Sequence, residues 1–527
     1  MLPNYPPNQV FTDMYNIFAI PKSIKSLLEN NDAQSRLKDL KEKIDKREKI
    51  SPDLFRDLPS HITDLEYIRH VILTSLFLVR LNQGARLTLP LLDDEKLSKQ
   101  NALPYQFWGL LYENWQPEPE EGTTVFLTGY QNRGPDNRKK RIYYSALTPD
   151  LYPFNYQKKV VGYFDNLLSE TNVGQPLMSK YLDSYFNLYW DLHLGVTGDD
   201  IPDYVTKIGT SFNTVLAYVD PLQEITYENY MNVRQIRPEL EKWIAQKVND
   251  IAEDNISDSD KTFVYYWLEN SNGGKSPYFK RDDIIFECFH NFVAFSQWGN
   301  TIYNIMSLLS TNAGNPVVKS WFEKTMSGDY DEANGEPFTP LDRFVMELFR
   351  TISPNSGSIS KVEEVREPIY DRYNYYVTPH KETSEYYVNW KKPTIFNPDR
   401  YIEVPTSNEV NAEKCEEIGF AQCPFHKTGF LAKDGRDTNI TNSTFGTVYN
   451  VTDDQTFPVA DYAGYAPFGF GYRRCPGELF TIDVIKDFLR KVWNDGIQFE
   501  KLDIADPKNV PVGPATVVPD VFGFTYR

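Results

Sequence analysis

The chain has 527 residues, with 55 Lys and Arg against 73 Asp and Glu, giving a net charge of −18. That acidic balance argues against nucleic acid and against adhesion to anionic membranes, since both partners carry the same sign. Apolar residues make up 41% and aromatics 15%, enough for a large core and an apolar pocket, while the 4 cysteines are too few and scattered for a disulfide scaffold and suit a reducing compartment.

In chain order, Met1 to Ile20 mixes Asn, Asp, proline and tyrosine with its apolar residues and reads neither as a signal peptide nor as an anchor. The most apolar early stretch, Val71 to Val79, is too short to span a bilayer, so a soluble, cytoplasmic protein is expected. Residues 30–50 read as a solvated, charge-rich helix, and Pro117 to Gly122 as an exposed turn. From about 155 to 310 the spacing is mostly helical. Within it, Asp282 to Leu309 is the longest apolar candidate, a single interior helix with two acids at its N-terminus. Gln297, Asn300 and Thr301 share one face of that helix by their spacing, with Ser296 beside them.

Thr339 and Pro340 carry a helix-start signal, and Leu341, Phe344, Val345, Leu348 and Ile352 then recur at helical spacing. Glu347 and Arg350 lie three apart there, which on most helices is only a surface pair. Phe396 to Tyr401 follows, containing Arg400. Residues 402–460 are rich in Gly, Asn, Thr and Asp and read as an irregular excursion. Its Cys415, Cys423 and His426 lack the fourth ligand and the tight spacing of a structural zinc site.

The most specific run is Phe468-Gly469-Phe470-Gly471-Tyr472-Arg473-Arg474-Cys475-Pro476-Gly477, placed just before the apolar-periodic stretch Glu478 to Trp493. A cysteine there stands at a helix N-terminus, where the dipole and unpaired N–H groups favour the thiolate. Pro476 is expected at the first helical position, and the glycines let the backbone pass beneath a flat ligand. A haem iron is the natural recipient of such a sulfur, against the alternative of an ordinary turn with a structural cysteine.

This run resembles the haem-binding loop of the cytochrome P450 family, F-G-x-G-x-R-x-C-x-G, at every fixed position. The resemblance implies a mainly α fold, a helical body with a small β portion, and haem b held by Cys475 as axial ligand. Arg473 would pair with a haem propionate, and Phe468, Gly469, Gly471 and Gly477 would shape the loop. Glu347, Arg350 and Arg400 resemble the family's E-x-x-R helix and later P-x-R-[FY] segment, implying a buried triad beneath the haem. Arg141 fits a propionate-binding arginine, with Asn137 where a Trp or His stands in the family. The likeness spans about 130 to 495. A single haem domain over 1–527 is therefore expected, with an N-terminal extension (about 1–65) and an insertion within 402–460.

Monooxygenases of this family carry an acid followed by Thr on the distal helix, which passes protons to iron-bound oxygen. Here the aligned pair is Asn300 and Thr301, and an amide delivers no proton in that way. Phe295-Ser296-Gln297-Trp298-Gly299 is similar to F-N-x-[FW]-G-G of family members that rearrange fatty-acid hydroperoxides, with Ser296 in place of Asn. The favoured expectation is thus a peroxide- or hydroperoxide-using enzyme for an apolar, lipid-like substrate, with Gln297 and Asn300 binding the peroxide. A reductase-dependent monooxygenase using Thr301, an electron-donor protein and water is the alternative. A non-enzymatic haem sensor or carrier is the third reading.

Overall fold

Long stretches with apolar residues at three- and four-residue spacing fold into helices, and the protein is mainly α with short strands. The computed structural model describes Val125, Gly134, residues 138–218, 224–253, 260–336, 338–354, 357–367, 372–379, 392–402, 467–468 and 475–527, and two short strands, 86–87 and 97–98. The helices before the distal region are α1 (Arg138–Tyr144), α2 (Gln157–Leu167), α3 (Met178–Leu194), α4 (Asp203–Ala217), α5 (Glu224–Glu253) and α6 (Phe263–Asn270). The distal region forms α7 (Arg281–His290), α8 (Phe292–Phe295) and α9 (Gln297–Leu309). Beyond it come α10 (Pro316–Met326), α11 (Pro340–Ile352) and α12 (Glu478–Asn494).

The core lies where α2 packs between α12 and α3, and α3 in turn meets α9. Phe164 of α2 meets Phe488 of α12 at 5.1 Å between ring centroids, and Tyr181 stacks on Tyr185 within α3. Offset and edge-on aromatic pairs of this kind add to the burial of apolar area. Helix α3 ends at Gly195, whose positive φ of 69° is a conformation that suits glycine.

The main sheet has strand order β1-β6-β5-β2, from β1 (Arg86–Leu87), β2 (Leu97–Ser98), β5 (Gly357–Glu367) and β6 (Arg372–Pro379). Strands β5 and β6 form an antiparallel pair with a register shift between Val362 and Arg366. Two-stranded sheets join β3 (Lys275–Ser276) to β4 (Phe279–Lys280), β7 (Ile497–Lys501) to β10 (Phe522–Tyr526), and β8 (Asn509–Gly513) to β9 (Thr516–Pro519).

Two expectations need correction. The distal segment is not one helix but is interrupted at Asn291 and Ser296. Ala294 N–H donates to Asn291 O at 3.0 Å and Gly299 N–H to Ser296 O at 3.3 Å, three-residue bonds that at Asn291 share the carbonyl with the four-residue bond from Phe295 N–H at 3.1 Å. Ser296 Oγ donates to Val293 O at 3.0 Å, the local side-chain competition that bends helices. The second correction concerns Pro476, which precedes the helix: Gly477 is the N-cap of α12, and Glu478 its first residue.

Gly299 lies within α9, beyond both joints. A Cβ there would lie 2.9 Å from Tyr181 Cε1 and 3.2 Å from Val512 Cβ, so the glycine permits close packing of α9 on α3 and β8. Among the described residues no helix is long and apolar enough to cross a membrane.

Candidate active site

Helix α11 begins as its sequence requires. Thr339 Oγ1 accepts the N–H of Asp342 at 3.1 Å, and Asp342 Oδ2 accepts the N–H of Thr339 at 3.0 Å, a complete capping box. The capped helix buries Leu341, Phe344, Val345 and Leu348 and carries Glu347 into the interior. Glu347 and Arg350 are both fully buried. Arg350 Nε and Nη2 each donate to the Glu347 carboxylate at 2.8 Å, a bidentate pair. Arg400 Nε donates to Glu347 Oε1 at 3.1 Å, Asn397 N–H to the same oxygen at 2.8 Å, and Tyr401 Oη to Oε2 at 3.3 Å. Arg400 Nη2 donates to Ile395 O at 2.7 Å, which ties the arginine to its own segment. The residues singled out in sequence thus meet on one carboxylate. Tyr401 and Asn397 complete it and were not foreseen as ligands of Glu347.

The cysteine turn rests on the end of the same helix. The Phe468 ring meets Phe349 at 5.0 Å, and Cys475 N–H donates to Phe468 O at 2.8 Å, closing the turn. Cys475 is half-buried at the N-terminal end of α12. A Cβ on Gly477 would stand 3.7 Å from Cys475 Sγ, an ordinary contact distance, so this glycine lies directly beside the sulfur. The donor set is a single half-buried thiol on a closed turn at a helix start, and that chemistry fits an axial thiolate. Gly469, Gly471 and Arg473 lie outside the described residues, as do Asn137, the excursion at 403–460 with Cys415, Cys423 and His426, and the N-terminal extension. Among the described residues no group of three or more His, Cys, Asp or Glu could hold a metal ion.

Helix α1 carries its basic residues inward, with Lys139 and Lys140 buried and Arg141 half-buried. Its Tyr143 Oη donates to Asn291 Oδ1 at 2.8 Å, and Asn291 Nδ2 lies 3.1 Å from His193 Nε2. His193 Nδ1 faces Tyr189 O at 2.8 Å, so Nδ1 carries the proton and Nε2 accepts from Asn291. Burial lowers the His193 pKa to about 3, which keeps the ring neutral. This buried chain fixes the amide of Asn291 at the first joint of the distal region. Burial first, then the charge of Glu287, then that of Cys475 push the Tyr143 phenol well up.

The distal candidates divide by their bonding. Asn300 Nδ2 donates to Pro354 O at 3.1 Å, and Asn300 Oδ1 accepts from Asn304 Nδ2 at 2.8 Å, so this amide braces the turn after α11. Thr301 Oγ1 donates to Gln297 O at 3.3 Å, and Ser296 Oγ is spent on Val293. The Gln297 side chain has no hydrogen-bond partner among the described residues. Residues 297 and 300 underlie the end of β8, where a Cβ on Gly513 would lie 3.6 Å from Gln297 Cα and 3.8 Å from Asn300 Cβ.

No family model and no curated protein matches the sequence. Solved structures do. A zebra fish cytochrome P450 with abiraterone is 13% identical, with a TM-score of 0.52 over 87% of this chain and 99% of its own. The heme domain of cytochrome P450DA is 11% identical, with a TM-score of 0.51 over 88% and 95%. A retinoic acid-bound cyanobacterial CYP120A1 is 13% identical, with a TM-score of 0.51 over 85% and 87%. The chain has the cytochrome P450 fold. That likeness agrees with the resemblance carried by Cys475 and by the Glu347–Arg350–Arg400 set. Sequence reasoning missed the interior polar residues Tyr143, His193, Glu287, His290 and Asn291, although Glu287, His290 and Asn291 were visible as polar positions within an otherwise apolar stretch.

Proposed function

We propose that the protein is a haem-thiolate oxidoreductase in which Cys475 is the axial ligand of haem b. The observation that carries this reading is the seating of the Phe468–Cys475 turn on α11, the helix that also bears the buried Glu347–Arg350 pair. Haem supplies the electrons for breaking and making bonds to oxygen. The residues of the chain hold it: Cys475 through its sulfur, Arg473 and Arg141 at the propionates, and Glu347, Arg350 and Arg400 as the rigid floor. The substrate is apolar and lipid-like, a reading supported by the fold neighbours solved with retinoic acid and with abiraterone.

For the oxidant we favour a peroxide or lipid hydroperoxide, with Gln297 as the distal amide that hydrogen-bonds it and Asn300 as its brace. The second reading is a donor-driven monooxygenase. It is favoured by Thr301, buried one turn beyond Gln297 with a 3.3 Å bond that its hydroxyl can exchange for a ligand.

The test is spectroscopic. The reduced, carbon-monoxide-bound protein should show the red-shifted Soret band of thiolate ligation, and Cys475→Ala should lose it. A Cys475→Ala protein that keeps the band would sink the assignment.

A further inference from the structure

Helix α9 offers no acid beside Thr301, yet α7 carries two buried titratable side chains just before the joint at Asn291. Glu287 is 1% exposed and His290 7% exposed. Glu287 Oε1 accepts the Val125 N–H at 2.6 Å, and Oε2 lies 3.4 Å from His290 Nδ1. Burying such a pair adds little stability, because desolvation offsets the attraction and an apolar pair of similar volume does as well. Its presence calls for another reason.

The surroundings run from the start of α7 to the joint at Asn291. One turn before Glu287, Asp283 pairs with Lys139 of α1 at 3.5 Å. Burial pushes the Asp283 carboxyl up while Lys139 holds it down. On the other side, Asn291, the residue after His290, accepts from Tyr143 Oη at 2.8 Å, which seats the end of α7 against α1. The remaining titratable neighbours are neutral: burial lowers His193 and raises Tyr189 and Cys288.

We propose that Glu287 and His290 are the proton-handling pair of the distal side, with Asp283 and Lys139 as their link to the helix start. The proposal rests on the haem-thiolate reading above. With a hydroperoxide, the pair takes the proton from the oxygen that meets the iron. It returns that proton to the oxygen that leaves as alcohol or water, so its own proton count is unchanged. A bound haem would supply the two electrons that break the O–O bond, and oxidation of the substrate would restore them. The acid that the family places beside the threonine is thus supplied from α7, before the break.

Hydrogen cyanide tests this without turnover, since it is neutral in solution, binds ferric haem as the anion and must lose its proton. Its association with the ferric holoprotein should be followed by stopped flow from about pH 5 to about pH 9, spanning the carboxylate and imidazole ranges. Glu287→Gln and His290→Gln should each slow association by about tenfold to a hundredfold and flatten the pH profile, as loss of general base catalysis does. Glu287→Gln still accepts the Val125 N–H, so haem content and the thiolate band should hold, and Glu287→Asp should recover part of the rate. Should Glu287→Gln fail to bind haem, His290→Gln and Glu287→Asp decide by the same measurement. Rates and profiles that coincide with the parent in variants retaining the band overturn this inference alone. A parent protein without the thiolate band overturns the haem-thiolate reading as well.

Discussion

At the scale of single residues, the two distal amides have different tasks. Asn300 joins α9 to the turn after α11 through Pro354 O and holds Asn304. Asn300→Leu removes the bond to that half-buried carbonyl, a loss of about 0.5–1.5 kcal/mol. Thermal unfolding should show it as a melting temperature lowered by about one degree, the shift such a loss gives in a chain of this length. Gln297→Leu keeps the volume and breaks no bond among the described residues, so its melting temperature should stay close to the parent's. Under the peroxide reading the same change should slow hydroperoxide consumption by roughly one to two decades, the cost of one hydrogen bond made in the transition state. A stable Asn300→Leu beside an unstable Gln297→Leu would reverse the assignment.

At the scale of elements, α11 and α12 are joined by charge as well as by apolar packing. Lys486 pairs with Asp342 at 2.7 Å and lies 3.6 Å from Asp483, while Arg490 pairs with Asp487 and Asp331, each at 2.6 Å. Burial is the main cause that raises the Asp483 pKa to about 6. A carboxyl raised on folding stabilises the native state only while protonated, so this contribution is full below about pH 4 and lost as pH climbs through about 6. Asp483→Asn removes the dependence. Its melting temperature should match the parent's near pH 4 and exceed it by a few degrees at pH 7. Equal melting temperatures at both values would refute the link.

Helix α11 was legible in sequence because its cap, its apolar spacing and its Glu347–Arg350 pair are all local signals. The distal break was not legible, because it is set by distant partners: Asn291 is held by Tyr143 and His193 from other helices, and local periodicity cannot register them. The cysteine turn was legible as a pattern. Its seating on Phe349 was not, since nothing in the spacing of Phe349 and Phe468 reports a ring contact.

At the scale of the whole molecule, fold neighbours at 11–13% identity share a scaffold with this chain, and a scaffold hosts many chemistries. The oxidant must therefore be read from the distal face, where the acid-alcohol pair is absent and Gln297 remains uncommitted. If the protein uses a preformed peroxide, purified holoprotein given a panel of fatty-acid hydroperoxides should consume them with no NAD(P)H and no reductase present. Thr301→Val should leave that consumption within a factor of a few, because the proton need not pass through the hydroxyl. The donor-driven reading expects the opposite: hydroperoxides untouched, turnover only with a reduced donor, and Thr301→Val diverting electrons into released peroxide. A net charge of −18 sharpens the contrast, since any donor protein would have to find a basic face of its own to approach this acidic surface. Donor-driven activity should then fall steeply with added salt, whereas consumption of hydroperoxide should not. Hydroxylation that is donor-dependent and salt-sensitive, beside inert hydroperoxide, would overturn the first reading and establish the second.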